Sequence, residues 1–525
     1  MSDHYPVLLP LAFSLVLPAT LAAAPASSGA PTRPNVVLLI ADDLRCELGA
    51  YGSPLAQTPN LDRLAREAVM FQHAYCQYPL CNPSRTSMLT GRHPTTTHVY
   101  GNREYFGTAH PDWVSLPKHF REQGYRTLRT GKIFHGGIDD TEAWTEGGEE
   151  RRWNNPPPLQ PVQRATAPAQ AEQHVRTLQR ADHARAAQSD RWEAVPEAES
   201  ADLGDTRVTD RAIDYLRAAK GRGEPFFLAC GLSKPHSPLV APERFFDLYA
   251  GADIALPPDF AAWPMVPEGF PAGSIRPNNA DLFIRRKATP EAAREMIRAY
   301  LACVSYVDWN IGRVLDELSA LGLRENTIIV FWGDHGFQLG EKGKWSKAGS
   351  LWEQGARVPL IIYDPRAAGN GRASPRIVQS VDLYPTLVEL CGLPEPDGLD
   401  GRSLAPLLRD PEQAWDHAAY TVWNERGNGI SGVVVRTERW RYAEFFGPGA
   451  GAFLTDPIND PHELTNLVHD PRHAAVVAEL QPLARAYVEG HTELPPEPTA
   501  AAAAAREPEG EPRAAGGGGT TAVVK

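Results

Sequence analysis

Cysteine is scarce in this sequence, which contains six among 525 residues. So few thiols exclude a fold that depends on a dense disulfide framework. Positive charge is also in deficit, because the formal net charge is −12. No basic stripe of the kind that binds phosphate backbones is evident, so we expect no nucleic-acid partner. Beyond the first 30 residues, no hydrophobic run is long enough to cross a bilayer.

The exception is an apolar run near the start, from Pro6 to about Ala24, which is followed by small residues. This pattern is typical of a secretory signal peptide, here spanning residues 1–26, with a linker at 27–34. Pro10 and Pro18 lie inside the run and argue against a stable membrane span. We therefore expect an exported protein, periplasmic or secreted.

Alternating strands and helices are predicted from residue 35 to about residue 391. Short, continuous apolar runs are typical of strands that are buried on both faces, as in a parallel sheet. Such runs occur at residues 35–41, 225–232, 327–332 and 358–363. Amphipathic helical patterns separate them, the clearest at about 291–321. The pattern predicts an α/β fold with a large, mainly parallel sheet sandwiched by helices over residues 35–410.

Other parts of the chain read differently. Residues 139–205 are rich in Glu, Arg, Ala and Pro and predict a surface insertion or a mobile lid. Residues 411–491 contain short strands with close turns and a helix at about 471–488, which predict a smaller C-terminal antiparallel sheet plus helix. The tail at 492–525, rich in Pro, Ala and Gly, is expected to be disordered.

Polar residues follow three of the predicted strands: Asp42-Asp43, His236 and Asp334-His335. In open α/β sheets, ligands bind where the carboxyl ends of the strands meet, so we expect these residues to converge. Clustered carboxylates repel one another unless a cation lies between them. Their hard oxygen atoms suit Ca²⁺ or Mg²⁺, so a metal site is predicted.

A short helix is predicted to begin at Cys81, with Pro83 in its first turn and Gly91 at its end. Residues i and i+4 share a helix face, so Cys81 and Arg85 can point at one ligand. A helix N-terminus with a guanidinium suits an anion. Taken alone, the motif would also fit a cysteine nucleophile of the phosphatase kind, but metal-bound oxygen chemistry leaves a plain thiolate without a clear role.

Three further basic residues, at two places in the chain, are ambiguous on sequence grounds. Lys132 and His135 are three residues apart and can reach one anion, although a surface lysine and a packed histidine are common. Lys347 follows the Asp334 strand in a glycine-rich stretch, where a lysine is usually solvated.

The motif C-x-P-S-R at residues 81–85, followed by T-G-R at 90–92, resembles the signature of the sulfatases of the alkaline-phosphatase superfamily. Within that family the chain is most similar to the iduronate-2-sulfatase branch and its bacterial relatives. The similarity extends through residues 131–135, 234–238, 304–308 and 334–347 and the closing segment at 454–467.

The resemblance implies that a maturation enzyme oxidises Cys81 to formylglycine, whose hydrate attacks the sulfur of a sulfated carbohydrate. It also implies one Ca²⁺ ion. The ligands that the resemblance implies are Asp42, Asp43, Asp334, His335 and the oxygen of modified residue 81.

The resemblance further implies catalytic roles. Arg85, Lys132 and Lys347 would neutralise charge on the sulfuryl oxygens. His236, with help from Lys347, would protonate the leaving oxygen, and His135 would accept a proton from the second hydroxyl of the hydrate.

The identity of the sugar is not encoded in any motif. His98, Asn102, Arg103 and Trp113 are the candidates for lining the sugar pocket. Two alternatives remain open at this point: a phosphonate or phosphate ester hydrolase of the same superfamily, and an inactive protein that binds sulfated glycans.

Overall fold

The computed structural model describes residues 1–2, 33–151, 189–425, 429–447 and 449–489. The predicted signal peptide beyond Ser2, most of the linker, the middle of the predicted insertion (152–188) and the predicted tail lie outside the described residues. All the elements below belong to the unit that begins at Arg33.

The central element is strand β1, Asn35–Asp42, in which every residue is buried. It pairs in parallel with β5 on one side and β7 on the other. The seven-stranded sheet has the order β3-β5-β1-β7-β8-β2-β9, and β8 is the antiparallel strand. Its strands are β1, β2 (Val69–Tyr75), β3 (Arg126–Gly131), β5 (Phe226–Pro235), β7 (Thr327–Gly333), β8 (Arg357–Tyr363) and β9 (Ala373–Gln379). The predicted mixed, mainly parallel sheet is confirmed.

Helices cover both faces of this sheet. Along β1, Val37 and Leu39 join one apolar core, and Val36 and Leu38 join the other, because successive side chains point to opposite faces. The described helices are α1 (Pro59–Glu67), α2 (Cys81–Thr90), α3 (Pro94–Thr97), α4 (Phe106–Ala109), α5 (Leu116–Glu122), α6 (Gly204–Ala219), α7 (Glu243–Asp247), α8 (Pro290–Ala320), α9 (Glu353–Ala356), α10 (Leu383–Leu390), α11 (Ala405–Arg409) and α12 (Ala474–Val488). Helices α1, α6 and α8 pack on the first face, and α2, α5 and α10 pack on the second.

Helix α8 shows why the chain becomes helical where it does. The Thr289 side chain accepts a hydrogen bond from the backbone N–H of Ala292, and Pro290 occupies the first turn. Gly322, with a φ of 65°, follows its end. Among the described helices, none has both the length and the apolar character that a membrane crossing requires.

The C-terminal part forms the predicted smaller antiparallel sheet with a helix. Strands β10 (Ala419–Trp423), β11 (Gly432–Arg436), β12 (Arg441–Phe445) and β13 (Gly451–Thr455) make an antiparallel sheet. Helix α12 packs on this sheet in a third apolar core. Strand β13 was not predicted, because its glycine-rich start resembles a turn.

The described ends of the predicted insertion at 139–205 pack against the rest of the fold. Asp139 and Asp140 are buried, and Glu146 bridges to Leu128 of β3. On the far side, β4 (Trp192–Val195) pairs in parallel with β6 (Leu239–Pro242). These flanks are packed parts of the fold, since their buried carboxylates and backbone groups find partners in the main domain.

Candidate active site

The register of the sheet brings the ends of three strands together. Ala41 of β1 lies opposite Gly333 of β7, and the N–H of Asp334 donates to the Ala41 carbonyl at 3.2 Å. The Asp43 N–H donates to Asp334 Oδ1 at 3.1 Å. On the other side, Asp42 lies opposite Pro235, the residue before His236. The residues predicted to converge are therefore neighbours.

Asp43 has an unusual backbone conformation. Its φ is 63°, in the left-handed region that non-glycine residues seldom adopt. The hydroxyl of Tyr300, from helix α8, donates to the Asp43 carbonyl at 2.7 Å and holds this turn in place. Strain of this kind persists where the surroundings over-determine a functional geometry.

Helix α2 delivers Cys81 and Arg85, and every residue of this helix is buried. The Arg85 guanidinium donates from Nε to Asp334 Oδ2 at 2.9 Å and from Nη2 to Asp42 Oδ1 at 3.3 Å. Its Nη1 donates to the carbonyls of Lys132 and Ile133. All three nitrogens of Arg85 therefore contact protein acceptors, which positions two carboxylates against each other.

Two lysines approach the carboxylates from other elements. Lys132 donates to Asp42 Oδ2. Lys347 donates to Asp43 Oδ2 at 2.8 Å and to Asp281 Oδ1 at 3.1 Å. Asp281 also accepts from the Ser346 hydroxyl at 2.8 Å. Sequence reasoning missed Asp281, which lies in an irregular stretch without a recognisable motif.

Three histidines complete the cluster. His335 Nε2 lies 3.3 Å from Cys81 Sγ and 3.5 Å from Asp43 Oδ1, while its Nδ1 faces the Gly336 carbonyl at 3.0 Å. His236 Nε2 lies 3.9 Å from Asp43 Oδ2, and its Nδ1 lies 2.6 Å from the Ser237 carbonyl. His135 is partly buried, and burial lowers its pKa below the usual value.

Burial and the neighbouring charges shift the pKa values of the acidic groups in the cluster. Burial raises the pKa of Asp334 to about 7, and the charge of Asp42 adds to the effect. Burial alone would raise the pKa of Asp42 too, but Lys132, His236 and Arg85 hold it well below its usual value. Although burial opposes ionisation of the Cys81 thiol as well, Lys132, Lys347 and His335 hold its pKa well below its usual value.

The donor set fits a divalent cation. Ligand atoms of Asp42, Asp43, Cys81 and His335 all lie within 4.8 Å of one another. Asp43 Oδ1 is buried and has no hydrogen-bond partner among the described residues, so it offers an acceptor that a cation would satisfy. A cation would also favour the ionised form of Asp334, against the effect of burial. Carboxylate oxygens with one imidazole suit a hard or borderline metal.

Known families match this chain along most of its described length. The sulfatase family profile matches residues 34–393, which is more than half of the chain. The chain belongs to the sulfatase family. A second profile, described as the C-terminal part of N-sulphoglucosamine sulphohydrolase, matches residues 340–487. The protein is accordingly a sulfuric ester hydrolase.

Individual relatives agree with this assignment. The chain is 31% identical to iduronate 2-sulfatase of Mus musculus, over 91% of this chain and 99% of the relative. It is 34% identical to iduronate 2-sulfatase of Homo sapiens, over 69% and 70% of the two chains. It is 32% identical to a sulfatase of Formosa agariphila, over 86% of each chain.

Solved structures show the same fold. One is a protein in complex with its substrate D-glucosamine-2-N,6-O-disulfate, with a TM-score of 0.66, 22% identity and coverage of 87% of this chain and 97% of the other. Another is a phosphonate monoester hydrolase of Agrobacterium radiobacter, with a TM-score of 0.66, 23% identity and coverage of 87% and 96%.

The four candidate sugar-pocket residues lie at different places in this sulfatase. Asn102 is beside the site, since its Oδ1 accepts from the N–H of Asn82, the neighbour of Cys81, at 3.1 Å. His98 and Arg103 are exposed. Trp113 stacks under the Arg92 guanidinium, 4.3 Å from its ring centroid. Arg92 lies just beyond the end of α2 that is opposite to Cys81.

Proposed function

We propose that this sulfatase removes sulfate from a sulfated sugar, using formylglycine formed from Cys81 and one bound Ca²⁺ ion. The observation that carries the proposal is the position of the Cys81 thiol, buried among carboxylates and 3.3 Å from His335 Nε2. An unmodified cysteine nucleophile would not require metal-binding carboxylates around it. The similarity to the iduronate 2-sulfatases supports a sugar substrate.

The solvent exposure of the side chains distinguishes residues that position other groups in the site from residues that contact a substrate. The side chains of Arg85 and His335 are fully buried, whereas those of Lys132 and His236 are 17% and 31% exposed. We assign Asp42, Asp43, Asp334 and His335 to the cation, together with residue 81. Arg85 acts as a positioning residue, because its donors are directed at Asp42 and Asp334.

We assign the remaining roles from the position of each side chain relative to residue 81 and a bound sulfate. Formylglycine at residue 81 would supply the nucleophilic oxygen through its hydrate, and a cation held by Asp42, Asp43, Asp334 and His335 would supply polarisation of the sulfate oxygens. Lys132 brings positive charge to the oxygens of the sulfate, where charge grows, and Lys347, which is only 4% exposed and donates to Asp43, adds positive charge from the buried side. His236 is placed at the open side, where it can donate a proton to the leaving oxygen of the sugar. We assign to His135, which is partly buried and lies three residues after Lys132, the role of accepting a proton from residue 81.

Two further proposals concern the localisation and the maturation of the protein. The apolar run at residues 6–24 supports export as a periplasmic or secreted enzyme. Conversion of Cys81 requires a formylglycine-generating enzyme as a partner, so activity depends on the host in which the chain is made.

Sulfate release from a panel of sulfated oligosaccharides, including iduronate 2-sulfate, tests the proposal. Protein made with the maturation enzyme should turn over at least one sugar, and Cys81→Ser should not. Cys391→Ser, which changes a buried thiol in another part of the fold, is the matched control and should stay active. Faster hydrolysis of phosphonate or phosphate esters would favour the first alternative. Binding of sulfated glycans without turnover, with Cys81 unmodified, would favour the second.

A further inference from the structure

A cavity of about 480 Å³ lies between the segment that contains Arg276 and the C-terminal sheet. Its volume is within the roughly 300–1,000 Å³ typical of small-ligand pockets. One wall is the loop that contains Arg276, and the opposite wall comes from the C-terminal sheet and the turns that follow its strands. The lining residues from that sheet and its turns are Trp423, Glu425, Ser431, Phe445, Phe446 and Gly449.

Two segments connect this cavity to the catalytic groups. Trp423 lies 5.2 Å from the ring of Tyr78, which is three residues before Cys81. On the other side, a methyl group at Gly349 would lie 2.4 Å from Arg276 Cδ and 3.3 Å from Trp423 Cε2. Gly349 is two residues after Lys347, a separation of at most about 7.6 Å between Cα atoms. The cavity is therefore adjacent to the centre.

The chemistry of the lining suits a charged sugar. The Arg276 guanidinium lies over the Trp423 ring, 5.2 Å from its centroid. Phe445 and Phe446 add apolar surface, against which the C–H face of a pyranose ring can pack. Arginine donates to carboxylates and sulfates through a planar pair of N–H groups. Glu425 also lines the cavity, so the region that favours an anion is the Arg276 side.

We propose that this cavity binds the sugar residue that adjoins the sulfated one in an oligosaccharide, with Arg276 contacting a carboxylate or sulfate on that neighbouring residue. The inference rests on the proposed function, since it presumes that the catalytic centre takes a sulfated sugar. It deepens that function, because it makes an anionic oligosaccharide, rather than an isolated sugar sulfate, the preferred substrate.

The test compares kcat/KM for a sulfated monosaccharide with kcat/KM for anionic oligosaccharides that carry the same sulfated residue. Loss of a charge-assisted hydrogen bond in Arg276→Gln should lower the ratio of oligosaccharide to monosaccharide kcat/KM by about tenfold. Arg276→Lys keeps the charge and should restore part of the ratio. The inhibition constant of the desulfated oligosaccharide should rise in parallel in Arg276→Gln.

Arg66→Gln is the matched control, because Arg66 lines a different cavity, next to Asp62 and Arg372, and should leave the ratio unchanged. Equal losses on both substrates, or no change in the ratio, would overturn the proposal while leaving the proposed function intact. If the unaltered, matured protein releases sulfate from no sugar at all, the proposed function itself fails, and this inference fails with it.

Discussion

The carboxylate of Glu353 joins the two sheets through a buried network of ions. It accepts from the Tyr75 hydroxyl at 2.7 Å and from Arg441 Nη1 at 3.1 Å, and Arg436 Nε lies 3.5 Å away. Arg441 is completely buried and also pairs with Glu463 at 3.3 Å. Tyr75 belongs to the main sheet and both arginines belong to the C-terminal sheet, so this network fastens one to the other.

The size of its contribution follows from the pKa of Glu353. Burial would raise this pKa, but the charges of Arg436, Arg441 and Arg357 outweigh burial and lower it from 4.5 to about 2. This difference between the pKa values of the unfolded and folded states corresponds to about 3 kcal/mol of unfolding free energy. Because the folded state has the lower pKa, this contribution is complete above about pH 4.5 and is lost as the pH falls through about 2. At pH 3 about 1.4 kcal/mol remains.

We therefore expect Glu353→Gln to lower the free energy of unfolding by about 3 kcal/mol at pH 7, and by less than half of that at pH 3. Urea unfolding followed by tryptophan fluorescence at both pH values measures the difference. Glu438→Gln is the control, because its ion pair with Arg376 is exposed and is expected to contribute about 1 kcal/mol or less. A difference between Glu353→Gln and the unaltered protein that does not depend on pH would refute the reasoning.

Three further predictions concern the active site. Asp281→Asn should lower kcat about tenfold, because Lys347 loses a charged partner at 3.1 Å. Asp316→Asn, which removes one partner of an exposed ion pair, should leave kcat unchanged. Equal activity of the two variants would argue against a role for Asp281. Arg85→Lys should weaken Ca²⁺ binding by about 10–100-fold in calorimetric titration, since lysine cannot contact both carboxylates; unchanged affinity would contradict the positioning role. Dialysis against a chelator should lower Tm and activity, and added Ca²⁺ should restore both; indifference to the chelator would count against a metal site.

The sequence predicted the strands best where every residue of the strand is buried. The apolar run of β1 and the aspartates that follow it predicted both a central strand and the edge at which the site lies. The matching runs of β5 and β7 did the same for His236 and Asp334. Edge strand β9, Ala373–Gln379, and its neighbour β2, Val69–Tyr75, were not predicted, because polar residues interrupt their apolar patterns.

The positions of the other site residues depend on tertiary contacts, which no local sequence pattern predicts. Asp281 becomes part of the site only because the chain brings it to Lys347, 66 residues away. Arg85 was predicted on the helix face that meets a ligand, and its complete engagement with Asp42 and Asp334 depends on packing that no local pattern encodes. Trp113 is a predicted sugar-pocket residue, and its contact with Arg92, just beyond the end of α2, depends on tertiary packing.

The central claim is that Cys81 is a precursor of the nucleophile. Peptide mass analysis of the purified, active protein tests it most directly, with the fraction of modified peptide measured alongside the rate of sulfate release. The account predicts a lighter peptide around Cys81, in which an aldehyde oxygen replaces the thiol sulfur, and a rate proportional to the modified fraction. Full activity with only unmodified Cys81 would contradict it.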